Sequence, residues 1–275
     1  MRRAGHLYNA LLITKGIVKM AKKSALAEKL EEIRGRIAAA ATKAKRDPSE
    51  ITLVAVTKTA APEQIREILQ LGVTDLGESR VQVLTQRAAQ LNEYLSRRAV
   101  HGDGGYPDKV RWHMIGHVQR NKVKAILPLV SLIHSVDSLR LAEELDTYGA
   151  KVDRKTPVLL QVNASEEPSK FGVAVGAAVH LAEQIDSMPN LQFVGLMTMG
   201  PLEAPEAKVR QAFARTREIF EELKWHKTGG TGLRHLSMGM SDDFESAIAE
   251  GSTMVRIGSA LFGGKAADHL DDEEE

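Results

Sequence analysis

From Ser24 onward the chain alternates two patterns. Stretches with apolar residues three and four apart are separated by short runs of mostly apolar residues. The first spacing is that of an amphipathic helix and the second that of a strand buried on both faces, so their alternation marks a parallel α/β sheet. Eight runs qualify as strands: residues 52–56, 74–77, 111–115, 129–135, 158–162, 193–197, 233–237 and 254–257, the second being the least pronounced. Helix punctuation falls between them. Pro62 suits a first helical turn, with Gly72 as the stop; a helix over 119–127 ends before Pro128, and one over 138–148 ends at Gly149. Eight strand-then-helix units, preceded by an extra amphipathic helix from residue 24 to about 45, predict a single (β/α)8 TIM barrel of class α/β rather than a doubly wound sheet.

Length agrees, since such barrels run to about 250 residues and the chain has 275. The expected organisation is a basic leader at 1–23, a barrel at 24–265 and an acidic tail at 266–275. The segments 101–108 and 228–232 read as long connections, because neither flanks a change of composition. Arg2, Arg3, Lys15, Lys19, Lys22 and Lys23 all precede the first acidic residue, Glu28. That leader reads either as a mitochondrial transit peptide or as an extension ahead of an internal start near Met20. Its apolar stretch, 7–18, is broken by Asn9, Thr14 and Lys15 and falls short of the ~20 residues that span a bilayer. Aromatic content of 4% argues against stacking platforms for nucleic acid, and a formal charge of +1 gives no reason to expect a polyanionic partner. The absence of cysteine excludes disulfides, thiolate nucleophiles and cysteine zinc sites.

A barrel keeps its chemistry at the carboxyl ends of its strands. The first strand leads into Val56-Thr57-Lys58. A lysine buried in the barrel mouth would have a lowered pKa and an amine free to attack an aldehyde; on this motif alone, a loop lysine in solvent is the favoured reading. The last two strands shift the balance. They run into Ser237-Met238-Gly239-Met240-Ser241 and Arg256-Ile257-Gly258-Ser259. Such glycine and serine turns let backbone N–H groups approach a phosphate, which barrels often bind after strands seven and eight. Closure sets the eighth strand beside the first, so Lys58, Ser237, Gly258 and Ser259 share one site. A phosphorylated aldehyde between a lysine and a phosphate cup describes pyridoxal 5'-phosphate. Arg256 could face its ring nitrogen and leave it unprotonated; the alternative is a surface guanidinium paired with a carboxylate.

Other motifs fail. Residues 258–265 approximate a nucleotide P-loop, but Ser259 stands for the first glycine and Ala266 for the metal-binding hydroxyl. His113 and His117 are four apart but sit on a strand-to-loop segment rather than one helix face, so His113 is read as a pocket wall.

The motifs together resemble the pyridoxal-phosphate homeostasis proteins, also called proline synthase co-transcribed homologues, whose barrel is of the alanine racemase N-terminal type. The resemblance rests on Val54-Ala55-Val56-Thr57-Lys58, on Trp112-His113-Met114-Ile115-Gly116 with Gln119, Asn121 and Lys122, and on Ser169-Lys170-Phe171-Gly172. It is nearest in residues 236–243 and 251–258. It implies a cofactor-bearing Lys58, phosphate contacts from Ser237, Gly258 and Ser259, Arg256 at the ring nitrogen, and Lys170 in a second mode of cofactor handling. Where the family has Gly-Glu-Asn, this chain has Gly77-Glu78-Ser79. The expected function is a non-catalytic carrier in vitamin B6 homeostasis, cytoplasmic or mitochondrial, that holds pyridoxal phosphate as a Schiff base and delivers it. An amino-acid racemase is the alternative, but it would need acid/base groups on both faces of the substrate, and no second domain supplies them. The implied partners are pyridoxal phosphate and apo forms of enzymes that use it, with neither nucleic acid nor membrane, on a monomer or weak homodimer.

Overall fold

The structure is a computed structural model that describes residues 23–100, 105–107 and 109–263. The acidic tail and nearly all of the basic leader lie outside the described residues, as does most of the 101–108 connection. Helix α1 (Ala25–Lys43) opens the fold. Ser24 caps it by accepting from the Ala27 amide at 3.1 Å, and Leu26, Leu30, Ile33, Ile37 and Ala41 form its buried stripe.

Among the described residues the strands are β1 (Thr52–Val56), β2 (Asp75–Glu78), β3 (Arg111–Met114), β4 (Val130–Val136), β5 (Thr156–Asn163), β6 (Val173–Ala174), β7 (Leu191–Met197), β8 (His235–Ser237) and β9 (Met254–Ile257). Their order is β4-β3-β2-β1-β9-β8-β7-β5, and a β4–β5 pairing closes the ring. Every pairing is parallel, while the two-residue β6 adds only to the end of β5. The eight-stranded barrel expected from the sequence is therefore the fold, with each expected strand present within one or two residues of its expected bounds.

The helices are α2 (Pro62–Gln70), α3 (Val81–Val100), α4 (Val123–Ile126), α5 (Leu139–Lys151), α6 (Ala178–Asp186), α7 (Glu206–His226), α8 (Phe244–Ala249) and α9 (Ser259–Phe262). Pro62 opens α2, and Gly72, at φ +82°, follows its end. Ser138 caps α5, but Gly149 does not stop it: the helix continues to Lys151. A Cβ at Gly149 would lie 2.8 Å from the Arg154 carbonyl oxygen and 2.9 Å from Asn190 Cβ, so this glycine serves close packing rather than termination. Since α9 is a single turn, α1 packs against α2, α8 and α9 and covers the wall that a full eighth helix would cover.

Period-two alternation sorts the strand residues into two layers. Leu76, Trp112, Met114, Ile133, Val158, Leu160, Leu196, Leu236, Val255 and Ile257 belong to one apolar cluster with the helices. Leu132, Leu159, Val194, Met197 and Met254 form a separate cluster inside the barrel.

Candidate functional site

Strand pairing brings four strand ends together, because β1 lies between β2 and β9, and β9 pairs with β8. Lys58 stands in the turn two residues beyond β1. It is exposed, as the loop reading of this motif has it and not buried as the alternative required, since the strand ends at Val56 and Thr57 is the last buried residue before the turn. The turn itself is held from outside the barrel. Arg87 on α3 donates to the Thr57 carbonyl, to the Ala60 carbonyl at 3.1 Å and to Glu78 Oε1 at 2.8 Å, and the Thr57 hydroxyl donates to the same carboxylate oxygen. Burial raises the Glu78 pKa against the opposing pull of Thr57 and Arg87, and its other oxygen, Oε2, is buried without a partner.

The turns after β8 and β9 are tied to each other. The Arg256 amide donates to the Gly239 carbonyl at 3.0 Å, and the Ala260 amide to Ser241 Oγ at 3.3 Å. Gly239 has φ +91°, and a Cβ there would meet Ala247 Cβ at 2.7 Å, so the turn needs glycine twice over. A Cβ at Gly258 would lie 3.2 Å from Val56 Cβ and from the Val56 carbonyl oxygen, which sets the β9 turn against the end of the lysine strand. Ser259 is exposed and opens α9. Ser237 differs from the expected phosphate donor. It is fully buried, and its hydroxyl is engaged inside the barrel by His134 and Arg256.

Arg256 is 3% exposed, which excludes the surface ion pair left open by the sequence. Its guanidinium donates to Ser237 Oγ at 2.6 Å and to the carbonyls of Ser237 at 2.7 Å and Thr198 at 2.9 Å. These three bonds leave two of its five N–H donors over. Burial lowers its pKa to about 10, with Asp243 acting against the shift, so it is charged at neutral pH.

From Ser237 a line of hydrogen bonds crosses the interior. His134 Nδ1 is 2.8 Å from Ser237 Oγ, His134 Nε2 is 2.8 Å from His113 Nδ1, and His113 Nε2 is 3.0 Å from Asp75 Oδ1. Arg111 closes the line at 2.7 Å from the same oxygen. Burial holds the His134 pKa well below 6.5, helped by the neighbouring His113, by the charge of Arg256 and by the neighbouring His235. Burial would raise Asp75, but Arg111 and His113 outweigh it and keep the carboxyl below its ordinary range. His113, read from the sequence as a pocket wall, is buried inside the barrel between His134 and Asp75. His134 and Asp75 were not anticipated; the signal at His134 is a polar residue inside an otherwise apolar strand run, as in Leu132-Ile133-His134.

Lys170 is half-buried beyond β5, where it donates to the Gly200 carbonyl at 2.7 Å and Glu167 at 3.1 Å. His117 stacks on Phe171, centroids 4.2 Å apart. No helix among the described residues is long and apolar enough to cross a membrane.

Comparison with known proteins agrees with this arrangement. The alanine racemase N-terminal domain family matches residues 22–266. A pyridoxal phosphate homeostasis protein of Pseudomonas aeruginosa is 38% identical over 242 residues, 88% of this chain and 96% of the relative; that of Escherichia coli is 36% identical over 240 residues, 87% and 97%. PipY of Synechococcus elongatus, solved with pyridoxal phosphate bound, is 32% identical at a TM-score of 0.72, covering 86% of this chain and 100% of that one. An alanine racemase of Clostridium difficile shares the fold at 14% identity and a TM-score of 0.63, over 89% of this chain but 59% of the racemase. The chain belongs to the alanine racemase N-terminal domain family, and within it to the pyridoxal phosphate homeostasis proteins.

Proposed function

We propose that this chain is a carrier of pyridoxal 5'-phosphate in vitamin B6 homeostasis, acting in the cytoplasm and passing the cofactor to apo forms of the enzymes that use it. Lys58 holds the cofactor as a Schiff base, Gly258 and Ser259 cradle the phosphate with the tied β8 turn, and Arg256 faces the ring nitrogen. When bound, the cofactor supplies an aldehyde for the amine and an electron-withdrawing ring. One observation carries the reading: a charged, buried arginine with two N–H donors left over after its bonds to Ser237 and Thr198 sits on the strand beside the lysine strand. An arginine can only donate, so it suits an unprotonated ring nitrogen and leaves the ring a weak electron sink.

The donor set fits the group. Lys58 is accessible to an aldehyde, and the glycine turns leave backbone amides open to close approach. Ser237 serves the site through Arg256 rather than through its own hydroxyl. The carrier is favoured over a racemase because the relatives at 38% and 36% identity are named homeostasis proteins, whereas the racemase shares the fold alone at 14%.

Purified protein reconstituted with pyridoxal phosphate is expected to show the absorption band of a lysine-bound cofactor, and Lys58→Ala to abolish it. A colourless reconstituted wild type would overturn the reading. Incubation with L-amino acids in deuterated water separates the alternatives, since sustained exchange at the α-position is the behaviour of a racemase and its absence that of a carrier.

A further inference from the structure

The polar line through the barrel has a direction. Arg256 can only donate and an ionised Asp75 can only accept, and with one proton on each imidazole a single assignment satisfies every atom between them. The Ser237 hydroxyl takes the Arg256 N–H on its lone pair and donates its proton to His134 Nδ1; His134 Nε2–H donates to His113 Nδ1; His113 Nε2–H donates to Asp75. His134 and Ser237 are fully buried and His113 is 2% exposed, so water cannot substitute for a missing partner. The line reaches solvent only at Arg111, whose side chain is 47% exposed, on the barrel face opposite the lysine turn.

We propose that His134 is a positioning residue for the cofactor site: by accepting the Ser237 proton it turns the Ser237 lone pair toward Arg256 and keeps the guanidinium aimed at the barrel mouth. His113 and Asp75 fix the His134 tautomer that allows this. The inference rests on the proposed placement of Arg256 at the ring nitrogen. It assigns a role to three buried groups that touch neither the lysine nor the phosphate turns. The charged and titratable groups facing His134 are His113 from β3, His235 from β8 and Arg256 from β9.

Two variants divide the residue in half. An asparagine oxygen replaces Nδ1 and keeps an acceptor for Ser237, whereas a glutamine amide replaces Nε2 and keeps only the link to His113. Loss of one such bond is worth about threefold to tenfold. Cofactor release is therefore expected to quicken by about tenfold in His134→Gln and Ser237→Ala, with a displaced absorption band, and by no more than about threefold in His134→Asn. Release from His134→Gln and Ser237→Ala at the wild-type rate overturns the inference, as does His134→Asn releasing as fast as His134→Gln. A second readout needs neither variant nor cofactor: imidazole 15N shifts of the cofactor-free wild type should show Nδ1 unprotonated and Nε2 protonated on both His113 and His134. A proton on His134 Nδ1 overturns it. A wild type that takes up no pyridoxal phosphate overturns the functional reading as well, whereas a binding wild type indistinguishable from its variants overturns this inference alone.

Discussion

The two faces of the barrel sheet are built on different principles. Outside, where strands meet helices, the filling is apolar and large: Phe193, Phe213 and Phe244 are each no more than 1% exposed. Inside, a small apolar cluster around Leu132, Leu159, Val194, Met197 and Met254 shares the space with Asp75, His113, His134, Ser237 and Arg256. The outer layer is what any such barrel needs to fold. The inner one accepts the desolvation of polar and charged groups, which is costly unless each is hydrogen-bonded. The difference teaches where polar groups are gathered: inside the barrel, where Arg256 is held by the Ser237 hydroxyl and by the Ser237 and Thr198 carbonyls.

The contrast can be broken most sharply from outside. Phe213→Ala is expected to cost about 3–5 kcal/mol in urea denaturation while a folded fraction still binds the cofactor. A loss below about 1 kcal/mol would mean that the outer layer does not carry the fold. The exception in that layer is the Arg87–Glu78–Thr57 clamp. Arg87→Ala strips a buried carboxylate of its cation and frees the lysine turn, so it is expected to cost about 1–3 kcal/mol and to weaken cofactor binding together with stability. Unchanged cofactor affinity would separate the clamp from the site.

The inner layer makes itself felt through pH. His134 is held well below 6.5 and burial, with Arg234 and His113, brings His235 to about 4, so below pH 6.5 the unfolded chain binds more protons than the folded one. Stability is complete above about pH 6.5 and falls as the pH drops toward 4, by about 1.4 kcal/mol per unit for each imidazole kept neutral. Asp75, whose folded pKa is depressed, adds a further loss below its ordinary 3.8. Glu78 has the opposite sign, contributing below its ordinary 4.5 and losing that as the pH rises through its raised value. Urea midpoints at pH 7, 6 and 5 check the balance, and a flat profile would contradict two histidines held neutral in the folded chain.

The outer layer was legible in the sequence because it is written in period and punctuation: apolar runs at 52–56 and 254–257, the Ser24 and Ser138 caps, Pro62 and Gly72. Gly149 misled because a glycine near a helix end has two uses, and only the neighbouring Asn190 shows which applies. At the site, Lys58, Gly258, Ser259 and Arg256 were legible as strand-end residues on neighbouring strands. The exposure of Lys58 was left open between two readings, since a strand's last residue cannot be told from the first of its turn. Ser237 was read as a phosphate donor, and its hydroxyl is enclosed by His134 and Arg256. His134 stayed hidden because its partners, Ser237 and His113, lie 103 and 21 residues away and are joined only by barrel closure.

The most direct test is covalent. Borohydride reduction of the reconstituted protein, followed by peptide mass spectrometry, is expected to find a single pyridoxyl group on the peptide that carries Lys58. A pyridoxyl group spread over surface lysines, or fixed on Lys170 with Lys58 unmodified, would contradict the account.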